Sequence, residues 1–220
     1  MTGKSVLRLV HISAWVALLL LGLILAIGGC QKPEPAARIR DTVALPVTNT
    51  LPVAVRVVLV RVSSTFDGPR VTRKLQRTQD ILNSFGVGFD VVALHEVEAE
   101  QWLTVDEGDW ASLDQFVKNT NEHLVVLTDK VLYTGTPVSG LGNGRWCVIA
   151  RNSWDITVAH EILHGALQWA KIDVGTQGHR DKPLNLMEST KITEDHVQLD
   201  WDQRNALTGW AKHRWGKTSP

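Results

Sequence analysis

Ser153-Trp-Asp-Ile-Thr-Val-Ala-His-Glu-Ile-Leu-His-Gly-Ala-Leu-Gln-Trp169 is the stretch on which the reading of this 220-residue chain turns. It holds no proline, and Gly165 is its one glycine. Ile156, Ala159, Leu163 and Leu167 recur at the spacing of one helical face, with Ser153 placed to cap the start and Asp155 suited to the first turn. The stretch therefore predicts a helix with one buried side. On that helix His160 and His164 stand at i and i+4, about 5–6 Å apart at Cβ, so both rings can reach one metal ion. Glu161 follows about 100° further round, which suits a carboxylate that takes a proton from water at the ion's open position. Zinc accepts imidazole nitrogens at about 2.0–2.1 Å in a tetrahedral shell, and a hydrolytic site leaves one position to water. The residues predict one catalytic Zn²⁺ ion with His160 and His164 as ligands. Glu161 is the expected general base of a hydrolase, most simply one acting on a peptide or protein.

Upstream of this helix the pattern alternates strand and helix. Val53-Ala-Val-Arg-Val-Val-Leu-Val-Arg-Val62 is β-branched and long enough for a central strand. Asp67-Gly-Pro-Arg70 opens a helix with Val71, Leu75, Thr78, Leu82 and Phe85 on one stripe, and Gly86 is its expected stop. Strands are expected at Phe89–Val97, His123–Thr128 and Arg145–Ala150, with a helix around Trp110 to Lys118 and a glycine-rich passage from Gly135 to Gly144. The strand region from Gly140 to Ile149 is the natural edge for an extended peptide to pair with. Downstream, Leu199 precedes an Asp200-x-x-Gln203 capping box, and Ala206, Leu207, Trp210 and Ala211 give a final helix its apolar side. The fold class expected is α/β (α+β), a mixed sheet with the histidine helix packed beneath it.

This order, strand–helix–strands–HExxH helix–methionine turn–C-terminal helix, resembles the metzincin peptidases over about residues 53–215. Metzincins are similar to H-E-x-x-H-x-x-G-x-x-H followed by a methionine turn. The chain keeps the first five positions and departs after them, with Leu167 and Ala170 where the family has Gly and the third His. Further on, His179-Arg-Asp-Lys-Pro-Leu-Asn-Leu-Met187 is similar in spacing to the third histidine and methionine turn of the matrixin-like branch. The resemblance implies His179 as third ligand, delivered by an insertion in which Gly175 and Gly178 supply turns, and Met187 as the floor of the site. Asp173 is an alternative third ligand, since a carboxylate can replace imidazole, and Glu188 or Glu194 could act as a distant glutamate ligand.

The first thirty residues stand apart. Lys4 and Arg8 precede an apolar run from Ile12 to Ile27, shorter than the ~20 residues of a spanning helix and similar to an export signal. Ile27-Gly-Gly-Cys30 resembles the lipobox of bacterial lipoproteins, which implies cleavage before Cys30 and lipidation of that cysteine. The expected organisation is a signal peptide at 1–29, a lipidated Cys30 with a proline-bearing flexible tether at 30–51, and a catalytic domain at 52–220. It places the domain outside the cytoplasm, lipid-anchored in the cell envelope at the outer or cytoplasmic membrane. The other cysteine, Cys147, lies in an apolar strand pattern and is expected to be a buried, inert thiol.

Lys+Arg and Asp+Glu both number 23, which with no basic run excludes a nucleic-acid partner. Nine tryptophans and 44% hydrophobic residues are ample for a packed core, and a monomer is expected. His11, His95, His123, His196 and His213 have no partner at ligand spacing. Two rival functions stay open: a non-catalytic, zinc-containing binding lipoprotein of the envelope, and a zinc hydrolase of another amide bond. Glu161 disfavours the first, because a purely structural zinc site uses a fourth protein ligand and needs no carboxylate there.

Overall fold

The computed structural model describes residues 37–38, 43–46, 50–62, 66–98, 100–118, 120–172, 179, 184–187 and 197–216. Its main sheet has six strands in the order β1-β3-β2-β5-β9-β8. These are β1 (Ala37–Arg38), β2 (Ala54–Val62), β3 (Gly88–Val97), β5 (His123–Thr128), β8 (Gly140–Gly142) and β9 (Trp146–Ala150). The four inner strands run parallel, whereas β1 and β8 lie antiparallel to their neighbours at the two edges. A second sheet joins β4 (Thr104–Val105), β6 (Lys130–Tyr133) and β7 (Thr136–Val138).

Strands this apolar must be covered on both faces, because parallel strands are buried between layers. Alternation sorts their side chains. Val55, Val57 and Leu59 of β2, Val125 and Leu127 of β5, and Cys147 and Ile149 of β9 enter one core. Val60, Val62, Leu124, Val126, Trp146 and Val148 enter another. The first core is closed by α1 (Gly68–Ser84), α3 (Thr157–Trp169) and α4 (Trp201–Trp215), and the second by α2 (Trp110–Val117) and the small sheet. Asp67 caps α1 by accepting from Arg70 N at 2.7 Å, and Gly86 ends it in the left-handed region at φ 79°.

Two expectations need correction. The helix bearing the two histidines starts at Thr157, with Ile156 at the cap position and no side-chain cap. Ser153 and Asp155 therefore precede it, because the buried Lys74 ammonium of α1 claims them: Nζ donates to Ser153 O at 2.8 Å, to Ser153 Oγ at 3.0 Å and to Trp154 O at 2.6 Å. Second, Gly140–Ile149 is not one strand but the hairpin β8–β9. Asn143 makes the turn, its Oδ1 accepting from Arg145 N and Trp146 N at 2.8 and 2.9 Å. The short strands β4, β6 and β7 fall where the sequence predicts no strand, because their pairing has no periodic signal. In the segment expected to be a tether, Ala37 and Arg38 pair with Val97 and Glu96, and Val43 is buried. Among the described residues no helix is long and apolar enough to cross a membrane.

Candidate metal centre

Helix α3 lies against β8, β9, α1 and α4. Val158, Ala159, Ile162, Leu163, Ala166 and Leu167 bury its apolar side in the first core. His160 and His164 are half-buried on the remaining face, with ring centroids 4.9 Å apart. The structure brings His179 to them, at 5.2 Å from the His160 ring and 5.1 Å from that of His164. One nitrogen from each ring falls within 4.8 Å of the others. Leu167 and Ala170, which stand where a glycine and a third histidine would follow the helix directly, pack in and against the core instead.

The hydrogen bonding fixes how His160 is used. Its Nδ1 lies 2.6 Å from Leu186 O. A carbonyl only accepts, so Nδ1 carries the proton and the Nε2 lone pair is free. Nε2 points to His179 Nε2 at 3.2 Å. Two imidazole nitrogens on one tetrahedral zinc ion stand about 3.3 Å apart, given bonds of about 2.0–2.1 Å. Protonation states agree. Burial lowers the His160 pKa to about 4, the Leu186 carbonyl opposing this and His179 adding to it. Burial also lowers that of His179. Neutral imidazoles are what a metal requires, so the donor set fits a zinc ion.

Glu161 faces the edge strand. Its side chain is 5% exposed, and burial pushes its pKa up to about 8. A β-carbon built on Gly140 would lie 2.9 Å from Glu161 Oε1, and one on Gly142 would lie 2.5 Å from Glu161 O. Glycine at both positions is what lets β8 run along this side of α3. Cys147, paired with Gly142 across the hairpin, is fully buried, and burial together with the Glu161 carboxylate raises its thiol pKa. It is an inert neighbour of the site.

Met187 is fully buried in the first core, next in sequence to the Leu186 whose carbonyl holds His160. Its N donates to Asn185 Oδ1 at 2.9 Å. Asp173, Glu188, Glu194 and Cys30 lie outside the described residues. The sequence places Gly140 and Gly142 on a glycine-bearing edge open to close backbone approach without naming Glu161 as their neighbour, gives Asn185 no role, and marks Gln203 only as a helix cap. A Gly-x-Gly repeat at strand period directly upstream of the histidine helix was the available signal for the first two.

No family model matches this sequence, and no curated protein matches it. Solved structures do resemble the fold. Metalloproteinase-II from Bacteroides fragilis superposes with a TM-score of 0.52 at 17% identity, over 85% of this chain and 60% of that one. Archaemetzincin from Methanopyrus kandleri superposes with a TM-score of 0.48 at 14% identity, over 72% of this chain and 96% of that one. The chain thus spans 60% of the length of the Bacteroides protein. The fold is similar to that of the Bacteroides metalloproteinase: a mixed sheet, with the histidine helix and a C-terminal helix packed on it.

Proposed function

We propose that this chain is a zinc-dependent endopeptidase with His160, His164 and His179 as ligands and Glu161 as general base. The observation that carries the reading is the convergence of three imidazole nitrogens within 4.8 Å, two of them from the helix that also presents a buried glutamate and the third from His179. A zinc ion held by these three histidines would supply Lewis acidity, lowering the pKa of water towards ~7 and polarising a carbonyl.

The chain's own residues do the rest. Leu186 O holds the His160 tautomer, so that its Nε2 remains an electron-pair donor. A carboxylate oxygen of Glu161 takes a proton from the attacking water as the new C–O bond forms. It returns that proton to the amide nitrogen as the C–N bond breaks, leaving a free amine. The pKa of about 8 belongs to the metal-free site. A cation nearby lowers it, towards the deprotonated form a base requires. Strand β8 ends the sheet order, and an extended peptide can add to its outer edge, close to Glu161. The placing of His179 before Met187 supports a matrixin-like third-ligand segment. The Lys4–Cys30 leader supports export and lipid anchoring at Cys30, which the intact mass of the membrane-fraction protein would test.

Incubation of the zinc-loaded protein with a peptide library, products read by mass spectrometry, tests the activity. Cleavage of internal peptide bonds, lost on chelation and regained with zinc, is expected. Zinc binding without cleavage of any peptide would instead favour a binding lipoprotein or an enzyme of another amide bond.

A further inference from the structure

We infer that Gln203 of α4 is a positioning residue for the metal centre, acting through Asn185 and the Leu186 carbonyl on the ring of His160. The inference rests on the zinc-site reading above. Asn185 and Gln203 are 2% and 0% exposed, and their side-chain amides face each other. Asn185 Nδ2 donates to Gln203 Oε1 at 2.9 Å, and Gln203 Nε2 donates back to Asn185 Oδ1 at 3.2 Å. Each oxygen accepts one backbone N–H besides: Asn185 Oδ1 from Met187 at 2.9 Å, Gln203 Oε1 from Asp200 at 2.8 Å. A helix cap alone would need only the Asp200 bond and would leave the glutamine amide in water. Here the same side chain reaches into the core to grip a turn in a distant part of the chain.

That turn carries the carbonyl that orients His160. Leu186 sits between Asn185 and Met187, so both flanking residues are tied to the amide pair. Its N donates to Gln198 O at 2.9 Å, while its O receives His160 Nδ1–H at 2.6 Å. The turn is also held against its own preference. Leu184 has φ 67°, a left-handed backbone that is strained for a non-glycine residue and persists only where the surroundings impose it. Gln198 N, donating to Leu184 O at 2.8 Å, and the amide pair on the next residue are among those surroundings. With the pair gone, the turn relaxes and the Leu186 carbonyl shifts. His160 then loses the bond that fixes both its tautomer and its ring plane.

The test compares Gln203→Met, which keeps the volume and removes both amide functions, with Val60→Ala in the opposite core. Zinc affinity is measured by competition with a chromophoric chelator, at a temperature where each metal-free protein is folded. Exchange of the His160 Nδ1 proton is followed by nitrogen-15 NMR. Gln203→Met should bind zinc 10–100-fold more weakly, the scale for losing a partner of a metal ligand, and should exchange that proton faster. Val60→Ala should lower Tm and move neither readout. If Gln203→Met does not fold, Asn185→Asp, which keeps the turn's acceptors and removes one donor, should show the same two changes. Unchanged zinc affinity and exchange in a folded pair variant would overturn the inference, as would equal changes in Val60→Ala. Wild-type protein that binds no zinc at all would overturn the metal-centre reading first.

Discussion

Gly140 in β8 stands so close to Glu161 in α3 that a β-carbon added to it would lie 2.9 Å from Oε1 and 3.0 Å from Cγ of the glutamate. The nearest obstacle is the Glu161 side chain, and the Val148 carbonyl oxygen at 3.0 Å asks the hairpin to give by a few tenths of an ångström as well. Gly140→Ala should therefore displace the carboxylate at a small cost in stability. A shift on the scale of 1 Å can cost about 10² in rate, and a loss of at least about 10-fold in kcat/KM is expected with little change in Tm. Gly142→Ala meets the backbone oxygen of the same residue at 2.5 Å, which cannot swing away. It should lose about 1–3 kcal/mol of stability, as overpacked sites do. Paired activity and thermal-melt measurements separate the two, and equal behaviour of the variants would contradict the arrangement of β8 on α3.

Glu161→Gln keeps size and shape and leaves all three imidazoles untouched. Zinc content should remain that of the wild type, while kcat falls by about 10²–10⁴, the contribution of general base catalysis. Near-native turnover at full zinc occupancy would remove Glu161 from the mechanism.

His179→Ala should weaken zinc binding sharply and abolish activity, because two histidines on one helix form an open site that a third nitrogen completes. Asp173→Ala should do much less. Zinc content and chelator competition on both variants decide between them. Full affinity in His179→Ala with loss in Asp173→Ala would reassign the ligand.

The elements that could be read from sequence are those whose physics is local. His123–Thr128 is expected and found with the same bounds, since its run of apolar residues is bounded by polar chain. Helix α1 is marked at both ends, by Asp67 before a proline and by Gly86 after it. His160 and His164 are legible because the i, i+4 spacing is itself the geometry. Parts set by tertiary contact were not legible. Ser153 has every local qualification for a helix cap, but an ammonium brought in by α1 takes it instead. Gly140 and Gly142 read as a flexible passage until α3 is laid against them. Gln203 reads as a capping residue, because the core partner that gives it a second role is Asn185, on another loop.

Lys74 shows the same dependence as a stability effect. Its ammonium is 1% exposed, bound to Ser153 O, Ser153 Oγ and Trp154 O, and 3.8 Å from Asp155 Oδ1. Lys74→Met would strand two carbonyls and a hydroxyl beside the start of α3. A cost of about 2–4 kcal/mol is expected, since buried acceptors lose a charged partner. Lys74→Arg should not rescue it, because the site closes around a small ammonium and a guanidinium overpacks it. Urea denaturation of the three proteins checks this, and full stability in Lys74→Arg would refute the close fit.

His123 should make the protein acid-sensitive. It is fully buried against the Trp210 ring, with centroids 5.5 Å apart. Burial lowers its pKa from 6.5 to about 3, with the Arg214 guanidinium adding to the shift and the Gly144 carbonyl opposing it in part. Between those two values the unfolded chain binds a proton that the folded chain refuses. Stability is therefore complete above about pH 6.5 and falls as pH drops towards 3, by up to about 1.4 kcal/mol per unit. His123→Phe keeps a flat ring against Trp210 and has nothing to protonate. Other groups, His160 and His179 among them, also favour the unfolded state in acid, but they are common to both proteins and cancel in the comparison. The stability difference between variant and wild type should grow in the variant's favour by about 1.6 kcal/mol from pH 6.5 to 5. Urea denaturation at the two pH values measures it, and parallel pH curves would show that the fold does not lower the His123 pKa.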